Sequence, residues 1–183
     1  MFSYQINKNI KLKILEEREA EQLFKLVDSN RDYLAEFLPF VKYTKKVEDS
    51  KNFIHSALQQ FARGDGFHCG IWFNNELIGV IGLHYLDLVN QKTSIGYYLA
   101  EDFQKKGIMT KCTKALIRYV YEEYDINRIE IRMSTKNKKS RAIPTRLGFT
   151  QEGILRSDER LQGEFSDSYV YSLLREEYEN EYK

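Results

Sequence analysis

The chain is sparing in the residues that mark several familiar protein classes. Its two cysteines, Cys69 and Cys112, stand alone with no C-x-x-C. That pattern suits a reduced, cytoplasmic protein better than a disulfide or zinc scaffold. The three histidines are scattered and none pairs with a cysteine at ligand spacing, so no metal is expected. With two prolines and ten glycines that fall singly among 183 residues, no linker or repeat interrupts the sequence. No run approaches the roughly 18 apolar residues of a membrane span, and Met1-Phe-Ser-Tyr-Gln-Ile-Asn-Lys8 has no apolar core of a signal peptide. A membrane location and secretion are therefore not expected. A net charge of +1 argues against a broad nucleic-acid-binding surface.

What is present is enough for a core. Hydrophobic residues make up 42% of the chain and aromatics 14%. A chain of this length is expected to form one domain over residues 1–183 and to bury roughly 70% of the surface it exposes unfolded. Ile10 to Leu15 alternates apolar and basic residues, the period of a half-buried strand. Glu16 to Asn30 has helical spacing, residues 31–47 suit a short helix and a loop broken by Pro39, and Asp49 to Arg63 is a helix ended by Gly64. Its expected buried stripe is Phe53, Ile54, Ala57, Leu58 and Phe61. Phe67 to Phe73, Asn74-Asn75 and Glu76 to Leu86 read as strand, turn and strand. Strands at Lys92–Leu99 and Arg128–Thr135 flank a helix from Gly107 to Tyr124. A short helix, Lys138 to Leu147, precedes closing strands at Phe149–Asp158 and Glu164–Leu174. This order predicts a mixed α/β (α+β) domain, a central sheet flanked by helices.

One stretch carries chemistry: Ile95-Gly-Tyr-Tyr-Leu-Ala-Glu-Asp-Phe-Gln-Lys-Lys-Gly-Ile-Met-Thr110. A strand runs out into a basic turn, and a helix starts at about Gly107. The first N–H groups of a helix lack internal partners and sit at the positive end of its dipole, which makes the turn a natural cradle for a pyrophosphate. An ordinary capped turn has the same local pattern. Charge distribution favours the cradle. Residues 1–104 carry −2, residues 105–146 carry +8, and residues 147–183 carry −5. A phosphorylated ligand would find a favourable field beside Lys105 and Lys106.

Gln104-Lys-Lys-Gly-Ile-Met109 resembles the acetyl-CoA loop, Q/R-x-x-G-x-(G/A/M), of the GNAT acyltransferases. Asn137-Lys-Lys-Ser-Arg-Ala-Ile-Pro-Thr-Arg-Leu-Gly-Phe149 is similar to their second signature, N-x-x-S followed by a helix ending in Gly-Phe. Asn30-Arg-x-x-Leu-x-x-x-Leu-Pro-Phe40 and Glu159-x-x-x-Gly163 add a likeness to the Rim-type ribosomal-protein N-terminal acetyltransferases. The resemblance implies a mostly antiparallel, twisted sheet with two splayed strands and helices on both faces. It also implies acetyl-CoA as cosubstrate, a protein N-terminus as acceptor, and a homodimer. Tyr98, Leu99 and Ala100 would pair with the pantetheine arm and present N–H to the thioester oxygen. Gln104, Lys105, Lys106, Gly107, Ile108, Met109 and Thr110 would hold the pyrophosphate, and Asn137 would bond the pantetheine. An amine would attack the thioester directly, Glu159 would take its proton directly or through water, and Ser140 would serve the departing sulfur. The sequence departs from the family pattern where many members carry a tyrosine acid in the helix after the second signature, and where Phe40 replaces a common tryptophan.

Each assignment has a plainer counterpart. Glu159 also suits a solvated strand end, and Ser140 and Asn137 both suit a helix cap. His84 is either an alternative base or a sheet-face histidine with a satisfied hydrogen bond. His55 and His68 suit surface or packing roles, and both cysteines suit the core. Three activities are consistent with this set: N-terminal acetylation, acetylation of a small amine, and non-catalytic acyl-CoA binding. Reversing the charge of Lys105 and Lys106 to Glu is expected to weaken CoA binding about tenfold at low salt, with the difference shrinking as salt rises. Calorimetric titration at two ionic strengths checks this, and a loss independent of salt removes the electrostatic role.

Overall fold

The computed structural model describes residues 3–182. Its strands are β1 Tyr4–Gln5, β2 Ile10–Ile14, β3 Phe67–Phe73, β4 Glu76–Asp87, β5 Lys92–Leu99, β6 Arg128–Ser134, β7 Thr150–Leu161 and β8 Glu164–Leu174. They form one sheet in the order β1-β2-β3-β4-β5-β6-β8-β7. Every neighbouring pair is antiparallel except β5 and β6. The helices are α1 Ala20–Ser29, α2 Arg31–Ala35, α3 Val47–Arg63, α4 Ile108–Glu123, α5 Lys138–Arg146 and α6 Arg175–Tyr182.

Adjacent residues of a strand point to opposite faces, and here both faces are covered. Ile71, Ile78 and Ile81 pack with Cys112, Leu116 and Val120 of α4 and Ile143 of α5. Their neighbours Trp72, Leu77 and Val80 pack with Leu23 and Leu26 of α1 and Ile54 of α3. The mixed α/β architecture, with helices on both sides of a mostly antiparallel sheet, matches the expectation.

The ladder between β5 and β6 is short. Lys92 pairs with Arg128, Thr93 with Ile129 and Ser94 with Glu130, and there the pairing stops. Beyond it β5 stays on β4 as far as Leu99, and β6 stays on β8 as far as Ser134. The two strands part and leave a gap inside the sheet. At the same level β4 carries a bulge, because Leu83 pairs with Ile95 and Tyr85 with Ser94, so His84 has no partner residue.

Several elements differ from the sequence expectation. The strand β1 and the helix α6 lie outside the elements the sequence predicts. Arg175, which opens α6, donates to the carbonyls of Tyr121, Tyr124 and Ile126 and closes the C-terminal end of α4. Pro39, expected to interrupt a loop, opens a 3-10 turn, Pro39–Lys42. Phe53 and Phe61, placed in the buried stripe of α3, are 38% and 50% exposed, whereas Ser50, Ile54 and Ala57 are buried. The strand expected to end at Asp158 continues to Leu161, because Ser157 (φ 52°) marks a bulge within β7 and not its end.

The alternation of β2 also fails to expose one face. Lys13 is buried, its ammonium bonded to the buried carboxylate of Glu19 and 3.1 Å from that of Glu16, with Trp72 beneath it at 5.7 Å. This ion pair ties β2 to the start of α1. Glu19→Ala leaves half of a buried pair and is expected to destabilise the protein by about 3 kcal/mol, and Lys13→Met with Glu19→Leu to restore most of that. Urea unfolding of the three proteins measures both.

Candidate active site

The gap between β5 and β6 exposes backbone inside the sheet. In an antiparallel ladder, successive residues turn their N–H and C=O alternately toward and away from the partner strand. Ala100 N–H donates to Ile78 O at 2.8 Å. By the same register Tyr98 and Gly96 face β4, while Leu99 and Tyr97 face the gap. Both backbone groups of Ala100 are committed, since its carbonyl accepts from Phe103 N–H at 3.1 Å. Of the three residues expected to pair with an extended ligand, Leu99 presents its amide to the gap, and Tyr97, outside that expected set, presents the next gap-facing amide.

The turn after β5 has the form the sequence suggested. Lys105 and Gly107 both adopt left-handed backbone, at φ 59° and 71°. A side chain on Gly107 would meet nothing within 4 Å, so the space beside it is open, and the positive φ is what calls for glycine. The first bond of α4 runs from Lys111 N–H to Gly107 O, so the N–H groups of Ile108, Met109 and Thr110 have no acceptor within the helix. Lys105 and Lys106 are exposed beside them. Arg146, from the far end of α5, donates to Thr110 Oγ1 at 2.9 Å and adds a third cation to this end of α4. Gln104 donates to the hydroxyl of Tyr33 on α2, and the Lys139 ammonium lies 4.7 Å over the Tyr33 ring.

Across the gap stands α5. Asn137 is its N-cap, accepting from Ser140 N–H at 3.0 Å through Oδ1. Its Nδ2 remains a donor. Ser140 is therefore not the cap. Its Oγ donates to the Tyr97 hydroxyl at 3.4 Å, and that hydroxyl donates to Ser140 O at 3.2 Å. Burial pushes the Tyr97 phenol far above its usual pKa, with Ser140 partly opposing the shift, so it acts as a hydrogen-bond donor and not as an anion. Sequence reasoning missed Tyr97 because Ser140 lies 43 residues away. Alternation along β5 does place it opposite Gly96 and Tyr98.

On the other face, Asn30 accepts from Glu101 N–H at 2.9 Å and fixes the start of the basic turn against α1. Arg31 donates to the carbonyls of Val41 and Thr44, both at 2.7 Å, and shapes the loop that brings Phe40 over Tyr98, ring centroids 5.6 Å apart. Glu159 pairs with Ser166, after a bulge that puts four residues of β7 against two of β8. Asp167 holds that bulge by accepting from Ser157 N–H at 2.9 Å. The Ser166 hydroxyl lies 2.8 Å from that of Ser134, the last residue of β6. Desolvation, with help from Asp158, raises the pKa of the half-buried Glu159 carboxyl. The structure brings Ser140, Asn137 and the basic turn around the gap, while Glu159 stands beyond β6, on the hairpin of β7 and β8.

Both cysteines are buried, and burial pushes their thiols up to about 12. His55 is exposed and bonded to Glu17 at 3.0 Å. His68 packs its ring against Phe53, and burial, with a smaller contribution from His84, pushes it down to about 4. His84 departs from the expected satisfied histidine: among the described residues, neither of its ring nitrogens has a hydrogen-bond partner. No cluster of three or more His, Cys, Asp or Glu able to hold a metal ion, and no helix long and apolar enough to cross a membrane, occurs among the described residues.

A parted pair of parallel strands, with a basic helix N-terminus at its mouth, defines the acyl-CoA N-acyltransferase fold. The chain belongs to the GNAT acetyltransferases: the family described as "Acetyltransferase (GNAT) domain" matches residues 9–150. It is 37% identical over 182 residues to the Bacillus subtilis (strain 168) protein named "Putative ribosomal N-acetyltransferase YdaF", covering 99% of this chain and all of that one. Among solved structures it is similar to RimL, a ribosomal L7/L12 alpha-N-protein acetyltransferase in complex with coenzyme A. That likeness has a TM-score of 0.92 at 27% identity, over 96% of this chain and 99% of the other. The microcin C7 self-immunity acetyltransferase MccE, in complex with acetyl-CoA and AMP, superposes with a TM-score of 0.89 at 30% identity, over 92% and 94%. The chain is thus a GNAT-fold acetyltransferase, with acetyl-CoA as donor and an amine as acceptor.

The cap that Asn137 makes and the pantetheine contact expected of it can be tested apart. Asn137→Ala is expected to cost about 1 kcal/mol through loss of the cap, whereas Asn137→Asp keeps an acceptor for Ser140 N–H and so keeps the stability. Both lack the Nδ2 donor, so both are expected to bind CoA more weakly. Thermal unfolding paired with CoA titration reads the two effects apart.

Proposed function

We propose that this chain works as a single domain that acetylates protein N-termini, with ribosomal proteins as the leading acceptor class. The observation that carries the reading is the unpaired edge of β5 beside the free N–H groups of α4. An extended, amide-bearing arm can pair with the Leu99 and Tyr97 backbone while its pyrophosphate sits on residues 104–110. The names of the relatives, one of a ribosomal N-acetyltransferase and one acting on L7/L12, support the acceptor class. Exposed Ile154, Leu155 and Phe165 on and beside the edge strand β7 support a homodimer.

In this mechanism the neutral amine attacks the thioester carbon, and a gap-facing N–H of β5 stabilises the oxyanion. Glu159 takes the proton that the attacking nitrogen loses as the C–N bond forms. The C–S bond then breaks, and the Ser140 hydroxyl, turning from the Tyr97 hydroxyl to which it donates at rest, donates a hydrogen bond to the departing sulfur. A small-molecule amine is the second reading, favoured because the microcin self-immunity enzyme with AMP bound shares 30% identity with the chain, against 27% for RimL. Acetyl transfer to a peptide library varied at its first two residues, run beside a small-amine panel, decides between them.

Glu159→Gln is expected to lower kcat about a hundredfold while leaving the affinity for acetyl-CoA intact. Because its carboxyl is raised, Glu159 becomes protonated at a higher pH than a free glutamate. The parent's kcat therefore falls as pH drops through that raised value, and the Gln variant lacks this limb. Steady-state profiles of both proteins check it, and unchanged turnover removes the assignment.

A further inference from the structure

On the face of the sheet that carries α1 and α3 lies a groove of about 420 Å³, lined by Phe53, Gln60, His68, His84 and Tyr85 among others. The two imidazoles that line it lie over glycines. Gly82 on β4 and Gly96 on β5 are paired across the strands, and His68 on β3 is paired with Gly82. A Cβ on Gly96 would lie 2.1 Å from His84 Nε2, and one on Gly82 would lie 2.6 Å from His68 Nδ1. The imidazoles rest where side chains would otherwise be. Gly96 is two residues before Tyr98, hence on the same face, and two residues past the last β5–β6 pair. The ring of His84 is thus directed by a bulge onto the strand that borders the gap, at the point where the gap opens.

A base at that point answers a need of the chemistry. An amine arriving as an ammonium loses two protons on its way to an amide, one before attack and one from the nitrogen of the tetrahedral adduct. We propose that His84, at the mouth of this groove, takes the first of those protons from the acceptor ammonium and passes it to solvent. The proposal rests on the acetyltransferase reading and extends it. The ammonium gives one proton to an imidazole nitrogen, and the freed lone pair forms the C–N bond at the thioester carbon. The adduct nitrogen gives the second proton to Glu159. The C–S bond breaks, the CoA thiolate takes up one proton, and one proton in net leaves to water.

The surroundings suit that role. The groove is open, and His84 is exposed on it, so the proton has a route out. Desolvation of the ring edge that rests over Gly96 lowers the pKa of His84 and favours its neutral form. The titratable and charged groups around it are His68 from β3, Arg63 and Asp65 at the end of α3, and Tyr85 beside it on β4. The first is neutral and Arg63 is paired with Asp65 at 2.7 Å. On β6 the Arg132–Glu130 pair lies toward Tyr85, and from β5 Gly96 lies beneath the ring.

The test is a pH profile of kcat/KM for a peptide acceptor. His84→Gln is expected to lower it about tenfold or more at pH 7, with no change in affinity for acetyl-CoA. The defect should vanish above pH about 9, where an α-amine of pKa near 8 is already free. Glu159→Gln should keep its defect there. Imidazole in the buffer should restore the pH 7 rate of His84→Ala. A defect in His84→Gln that is equal at all pH values, its absence, or failure of imidazole to rescue His84→Ala overturns the role of His84. A parent protein that releases no thiol with any amine overturns the acetyltransferase proposal itself.

Discussion

Three ladder pairs hold β5 to β6, and past Ser94 and Glu130 nothing does. Backbone groups in the middle of a sheet are normally paired, because an N–H or C=O hidden from water without a partner costs free energy. The divergence therefore creates a slot whose walls already have strand geometry. Each wall is held from outside, β5 by its ladder with β4 and β6 by its ladder with β8. The gap does not collapse because neither strand can leave its outer neighbour. The remaining features take their meaning from their distance to that slot.

The basic turn and α4 stand at its mouth, and their arrangement is fixed from both ends. Asn30 holds the turn against α1, while Arg175 occupies the carbonyls at the far end of α4 and leaves its N-terminal amides as the open pole. Opposite, Asn137 caps α5, and the Tyr97–Ser140 contact reaches across the opening. Polar groups thus bridge the slot where backbone pairing has ended. The bulge at His84 lies at the same level as the divergence, so the irregularity that turns this ring onto Gly96 coincides with the parting of the strands.

Much of this is legible in the amino-acid sequence. Lys92–Leu99 is read correctly because a strand with its own alternation, bounded by polar turns, needs no tertiary information. The basic turn at Gln104–Thr110 is legible for a similar reason, since a glycine at a helix start between lysines is a local pattern. Phe53 and Phe61 share the helical spacing of the stripe yet stay exposed, because spacing identifies a stripe but not how far the opposing sheet extends to cover it. The burial of Lys13 was hidden because its partners sit on the next element.

What the sequence determined by itself is whatever depends on neighbours a few residues apart: strand and helix periods, the anion-binding turn, the charge segregated into residues 105–146, and the paired signatures of the family. Tertiary structure alone decided which backbone amides of β5 face the gap, that Tyr97 meets Ser140, that Glu159 is set by a bulge, and that His84 lies over Gly96. The reason is physical. Register and bulges are set by how strands from distant parts of the chain fit together, and a shift of one residue would turn every one of these groups to the other side.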